Sequence, residues 1–294
     1  MSQLFSAGVS PQISSLRLCF YGAGSMAEAI VRGLLDQGLT APGQIGMINR
    51  QNASRLDELA ARYGVQAAFD NEAKTTMIGE ADIVFLAIKP KDAAEALKQL
   101  RHVLRPDQLI VSVIAGLSIH TMETLLGQPM NIVRTMPNTS STISLGATGI
   151  SFSSTVSEGQ RSLAEAMFKS VGMTAVVEEH LLDVVTGLSG SGPAYIYYVM
   201  EAMIEAGRGR GLSEEASREL TIQTVLGAAH MVKATHEHPA ELRRKVTSPN
   251  GTTQAAIETL DAHGFTQALV HAIGRATDRA AEMGKDIERS ATHE

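Results

Sequence analysis

Tryptophan is absent from this chain, and aromatic residues make up only 4% of its 294 positions. Stacking platforms for bases are therefore scarce. Cysteine occurs once, at Cys19. One cysteine forms no internal disulfide, and its place in an apolar run marks it as a small core residue. No apolar run approaches the ~20 residues that a membrane-spanning helix needs. Basic clusters are missing and the net charge is −6, which argues against nucleic acid as a partner. Residues 1–14 are polar and small, with no charged segment leading into an apolar one, so no signal peptide is expected. The expectation is a cytoplasmic protein that meets neither membrane nor nucleic acid.

What is present begins with length and a core. The chain suits two domains better than one, and an apolar fraction of 44% against 19% charged residues supports an ordinary globular interior. The most informative stretch is the apolar run 16–21 followed by Gly22-Ala23-Gly24-Ser25-Met26-Ala27. The run reads as a buried parallel strand, and a helical pattern follows the glycines. Strand, glycine turn and helix form the context a dinucleotide fingerprint requires. Gly22 permits the tight turn, Gly24 lets a pyrophosphate approach the backbone, and Ala27 lets helix and strand pack closely. The helix N-terminus offers N–H groups to the phosphates. The plainer alternative is an ordinary glycine turn.

A helix is expected over 27–37, closed by Gly38, and a second strand over 45–49. Asn49 and Arg50 stand where NAD-specific folds place an acid on the ribose 2′-hydroxyl. An amide and a cation there can donate to a 2′-phosphate instead, so NADP is the expected cofactor. The alternative is a turn-forming Asn49 beside a solvated Arg50. A helix over 54–63 ends at Gly64, and a short strand covers 65–68. Residues 81–88 are the most hydrophobic strand and should be central. It ends at Lys89-Pro90, where ligands of open α/β sheets bind, although a snorkelling surface Lys89 would look the same. Strands at 109–114 and 131–136 end in Ala115-Gly116 and Pro137-Asn138-Thr139. Two further strands, 147–152 and 174–177, flank a helix at 157–170.

After residue 178 no strand-like run recurs, and 181–288 reads as helices. The composition shift places a domain boundary near 177–180. Ser189-Gly-Ser-Gly-Pro193 interrupts a helical pattern, allowing close approach of another helix or of a cofactor. Ser213 caps the next helix with Glu214 and Glu215 in its first turn. Ala216, Leu220, Gln223 and Gly227 share helical spacing with apolar neighbours, so this helix needs burial and suggests a subunit interface. Residues 247–253, Thr-Ser-Pro-Asn-Gly-Thr-Thr, form a turn before a helix. Backbone N–H groups and hydroxyls there would suit a small carboxylate; a plain capped turn is the alternative. Residues 275–288 alternate charges and read as a solvated terminal helix.

Together these stretches resemble the pyrroline-5-carboxylate reductases, from Leu16 to about Glu282. The resemblance rests on Gly22 to Ala27, Ala87-Ile-Lys89-Pro90, Ala115-Gly116, Arg134-Thr-Met-Pro-Asn138-Thr139, Leu188-Ser-Gly-Ser-Gly-Pro193-Ala194 and Ser248-Pro-Asn250-Gly251-Thr252-Thr253. One departure exists: the common form of the last motif has glycine where this chain has Asn250. Asparagine tolerates left-handed backbone, so the turn survives the exchange.

The resemblance implies an α/β fold, with an N-terminal Rossmann-like domain (15–177) followed by an all-α dimerisation and substrate-binding domain (178–294). It implies an NAD(P)H-dependent oxidoreductase acting on a cyclic imine, the CH–NH donor class. The reaction would reduce the C=N bond of 1-pyrroline-5-carboxylate to L-proline, the last step of proline biosynthesis. NADPH would be the cofactor, with NADH less preferred. Ser248, Asn250, Gly251, Thr252 and Thr253 would hold the substrate, Thr253 being the catalytic hydroxyl at the ring nitrogen. The cofactor would be met by Gly22, Ala23, Gly24, Ser25 and Met26, then by Asn49, Arg50 and Asn71. Ala87, Lys89, Pro90, Ala115, Gly116 and Asn138 would complete its site. No metal site is expected, and the motifs offer no His, Cys or carboxylate as a committed general acid. A homodimer is implied, extending in some family members to a ring of dimers.

Two alternatives belong to other classes. β-Hydroxyacid dehydrogenases also join a Rossmann domain to a helical one, but they need a catalytic lysine on a long helix, and 181–206 contains none. A non-catalytic NADP-binding regulator would lack a carboxylate-binding motif, and here both motifs occur together.

Overall fold

The computed structural model describes residues 13–292. The leader expectation for residues 1–14 therefore lies outside the described residues, except at 13 and 14. Contacts divide the chain into two compact units: one holds the N-terminal part to Ser191 together with residues from Ala276 onward, and the other spans Gly192–Arg275.

The first unit is built on a sheet of eight strands among the described residues. They are β1 (Leu18–Tyr21), β2 (Ile45–Ile48), β3 (Gln66–Ala68), β4 (Ile83–Leu86), β5 (Leu109–Ser112), β6 (Asn131–Met136), β7 (Gly146–Phe152) and β8 (Gly172–Val176). Their order is β3-β2-β1-β4-β5-β6-β7-β8. Pairing is parallel through β6; β7 runs antiparallel to β6, and β8 parallel to β7. Every residue of β2, β4 and β5 is buried, as expected for parallel strands covered on both faces. The expectation that 81–88 is central holds: β4 lies between β1 and β5. Phe20 and Phe85 stack at 4.3 Å between ring centroids inside this core.

Helices α1 (Ser25–Asp36), α2 (Ala53–Tyr63), α3 (Asn71–Glu80), α4 (Ala93–Leu100), α5 (Ile119–Leu126) and α6 (Glu158–Lys169) connect the strands. α1 buries Ala27, Ile30, Val31 and Leu34 in the core. Caps fix the helix starts: Asn52, Asp70 and Ser118 accept from Arg55, Ala73 and Thr121 N–H, and Ser157 forms a capping box with Gln160.

After a short α7 (Leu182–Val185), Thr186–Gly190 forms a single π-helical turn. A Cβ on Gly190 would come within 2.6 Å of Met136 Cε. The small residues of the Ser189 motif therefore admit a side chain from the end of β6, which is a packing role.

The second unit holds α8 (Gly192–Gly209), α9 (Glu214–Thr235), α10 (Pro239–Lys245), α11 (Thr252–Ala262) and the first part of α12 (Phe265–Thr292). Ser213 caps α9, as expected. None of the apolar side chains at 192–275 is buried, and Leu220, Leu226 and Met231 of α9 lie exposed.

The expected solvated helix at 275–288 needs correction. In the first unit, the last part of α12 buries Ala280 and Ile287. Gly284 packs so closely that an added Cβ would lie 2.5 Å from Gly116 O. Charges at most other positions mask this stripe of residues 280, 284 and 287.

Candidate functional site

The strand order reverses between β1 and β4, and ligands of open α/β sheets bind beyond the strand ends at such a point. A cleft of about 1000 Å³ lies there. Its lining includes Gly22, Ala23 and Gly24 after β1, Asn49 and Arg50 after β2, Asn71 and Lys74 of α3, and Ala87 and Lys89 after β4. Eight of the expected cofactor residues thus come together.

The backbone explains the glycine turn. Gly22 has φ +118°, and a Cβ there would lie 2.3 Å from Ala87 O, so only glycine fits. A Cβ on Gly24 would meet nothing within 4 Å; the space above it is open. Gly24 is also the N-cap of α1 and caps it with no side chain. The first N–H groups of α1, including those of Ser25 and Met26, therefore remain available to an anion. These features fit the pyrophosphate of a dinucleotide.

Glu28, an acid in the first turn of α1, would repel such an anion unless it were neutralised. Arg55 pairs with it, Arg62 reaches it at 2.8 Å, and the Tyr63 hydroxyl donates to it at 2.9 Å. Burial pushes the Glu28 carboxyl up, but the hydrogen bonds from Arg55 and Tyr63 and the charges of Arg55 and Arg62 outweigh it and hold the carboxyl below its ordinary range. Arg55 Nε also donates to Ala23 O at 3.3 Å, tying the glycine turn to α2.

At the end of β2, Asn49 lines the cleft, and its Oδ1 accepts from the N–H groups of Gln51 and Asn52 at 3.2 and 3.3 Å. Arg50 is exposed, and its Nη1 lies 3.5 Å from Asp92 Oδ1 and 3.6 Å from Glu95 Oε2. Burial raises the Tyr21 hydroxyl, helped by the charge of Glu95 and opposed by that of Arg50.

Other expected residues lie elsewhere in the first unit. Pro90 begins the turn that leads into α4. Ala115 and Gly116 follow β5; Gly116 is buried, with φ +77°. Asn138 follows β6 and uses both ends of its side chain internally: Nδ2 donates to Ser189 O at 3.0 Å, and Oδ1 accepts from Ala147 N–H at 3.2 Å. Lys74, Lys91, Asp92 and Glu95 line the cleft without having been foreseen. Their signal was weak, because each comes from a segment remote in sequence from the fingerprint.

In the second unit, Asn250 has φ +58°, the left-handed geometry expected for the turn. Its N–H donates to Gln254 Oε1 at 2.8 Å. Gly251 caps α11, and its N–H is spent on Ser248 O at 3.0 Å. Among the described residues, the N–H groups of Thr252 and Thr253 meet no acceptor, and the hydroxyls of Ser248, Thr252 and Thr253 have no partner. A helix start with two open N–H groups and three open hydroxyls can receive a carboxylate.

Residues 179–283 match the family description "Pyrroline-5-carboxylate reductase dimerisation", and residues 17–116 match "NADP oxidoreductase coenzyme F420-dependent". Pyrroline-5-carboxylate reductase 1 of Bacillus subtilis is 41% identical over 281 residues, covering 96% of this chain and 94% of that protein. This chain belongs to the pyrroline-5-carboxylate reductase family. A solved pyrroline-5-carboxylate reductase from Coxiella burnetii superposes with a TM-score of 0.83 at 38% identity, covering 92% of this chain and 98% of that one. The Plasmodium falciparum pyrroline carboxylate reductase, solved with NADP bound, superposes with a TM-score of 0.81 at 26% identity, covering 92% and 99%. The family therefore extends over both units, and the fold is the expected Rossmann-like domain followed by a helical region. Among the described residues no helix is long and apolar enough to cross a membrane, and no group of three or more His, Cys, Asp or Glu is placed to hold a metal ion.

Proposed function

We propose that this chain is an NADPH-dependent oxidoreductase that reduces 1-pyrroline-5-carboxylate to L-proline. The observation that carries the proposal is family membership across nearly the whole chain, supported by the open anion-binding glycine turn and the open turn at 248–253. The division of labour follows the two units, cofactor on the first and substrate carboxylate on the second, Gly192–Arg275. The glycine turn and α1 hold the pyrophosphate, and Asn49 and Arg50 hold the 2′-phosphate, which makes NADPH preferred over NADH. Asn71, Ala87, Lys89, Pro90, Ala115, Gly116 and Asn138 complete the cofactor site.

When bound, NADPH supplies the hydride that the imine carbon accepts. The N–H groups of Thr252 and Thr253, with the Ser248 hydroxyl, hold the carboxylate. The Thr253 hydroxyl hydrogen-bonds the ring nitrogen. The imine arrives protonated, so that nitrogen needs no general acid during the transfer, and positioning supplies much of the rate. The enzyme works in the cytoplasm as a homodimer, and larger rings of dimers fit the same design.

Replacing Thr253 tests the substrate half. Thr253→Val keeps the shape and removes the hydroxyl. The expected loss is about 5- to 150-fold in kcat/KM, falling mainly on kcat, with NADPH affinity unchanged. A Val variant with unchanged kcat/KM would make Thr253 only a helix residue. Arg50→Ala tests the cofactor half: KM for NADPH should rise far more than KM for NADH, and equal losses would remove the 2′-phosphate role.

A further inference from the structure

Arg50 is not an unopposed cation. Its guanidinium lies within ion-pair distance of both Asp92 and Glu95, at 3.5 and 3.6 Å. Those carboxylates come from the other side of the cleft, the turn after β4 and the first turn of α4. Three residues apart, they share a helix face. Both line the same cleft as Asn49 and Arg50, together with the cations Lys74, Lys89 and Lys91. The acid that is missing from the end of β2 is thus supplied, in space, by another element.

We propose that Asp92 and Glu95 are specificity-determining residues, which compete with the cofactor's 2′-phosphate for Arg50 and so restrain the preference for NADPH over NADH. This inference rests on the reading of the cleft as the cofactor site. A 2′-phosphate carries a charge of about −1.5 to −2 at neutral pH. Seated on Arg50, it lies close to two further negative charges and takes the guanidinium away from them. The 2′-hydroxyl of NADH is neutral, meets no such repulsion, and can donate a hydrogen bond to a carboxylate, as it does to the acid of NAD-specific folds. The same pair therefore acts in opposite directions on the two cofactors. Arg50 and Glu95 are both exposed, so each carboxylate is expected to shift the ratio by about two- to fivefold, the range of an exposed ion pair.

The test is equilibrium binding of NADP⁺ and NAD⁺ to the full chain by calorimetry. It compares the wild type with Glu95→Gln, Asp92→Asn, the double variant, and the remote exposed control Glu215→Gln. The two charge-removing variants should each lower Kd for NADP⁺ by about two- to fivefold and leave Kd for NAD⁺ equal or higher. The gain should shrink as salt rises, and the control should not move the ratio. An unchanged ratio in both variants, or weaker NADP⁺ binding, overturns the inference; the latter would mean that the carboxylates hold Arg50 in place for the phosphate. A wild-type chain that binds neither nucleotide overturns the cofactor site itself, and the inference with it.

Discussion

Glu28 shows how one residue can be both a hazard and a support. It is an acid in the first turn of the helix whose N-terminus would meet the phosphates, and Arg55, Arg62 and Tyr63 convert it into an anchor between α1 and α2. Because its carboxyl is held below the ordinary range, Glu28 contributes stability above its unfolded-state pKa. That contribution is lost as pH falls through the lower folded value. Glu28→Gln should therefore be less stable than wild type in urea at neutral pH, and the two should converge under acid; a gap independent of pH contradicts the network. Cys19 offers a second check. Burial pushes its thiol up to about 12, so the native chain should react with a thiol reagent only on unfolding. Prompt labelling of the native chain contradicts this. At this scale the sequence was legible where a motif fixes position. Gly22, Gly24, Asn49 and Asn250 could be placed by spacing alone. Arg55, Asp92 and Glu95 could not, because they reach the site across crossovers.

At the scale of elements, α12 departs most from its appearance. Alternating charges suggested a solvated helix, yet Ala280, Gly284 and Ile287 lay a narrow stripe on the first unit and seat the loop at Gly116. Gly284→Ala would press a methyl group against Gly116 O. It should cost about 1–3 kcal/mol in urea unfolding and raise the Kd for NADPH by disturbing the Ala115-Gly116 loop. A variant within 0.5 kcal/mol of wild type, a roughly neutral surface effect, would remove α12 from that role. The buried strands were readable because both faces of a parallel sheet demand continuous apolar residues. α3 and α5 went unread for a related reason. α3 buries only Ile78, so it has no apolar stripe, and α5 is eight residues long. Their caps, Asp70 and Ser118, carried the signal that periodicity did not.

At the scale of the whole molecule, the second unit is incomplete as a single chain. Its apolar side chains at 192–275 include none that is buried, and a stable protein does not leave surface of that kind uncovered. The match of 179–283 to a dimerisation region names the kind of cover, a second copy. Sedimentation at micromolar concentration should show a dimer or a larger assembly; a stable, active monomer would contradict it. The most direct measurement is the loss of reduced-nicotinamide absorbance when the purified chain meets NADPH and 1-pyrroline-5-carboxylate, with proline counted alongside. The expected result is oxidation that requires the imine and yields one proline for each NADPH consumed. No imine-dependent oxidation, or oxidation without proline, contradicts the proposed reaction.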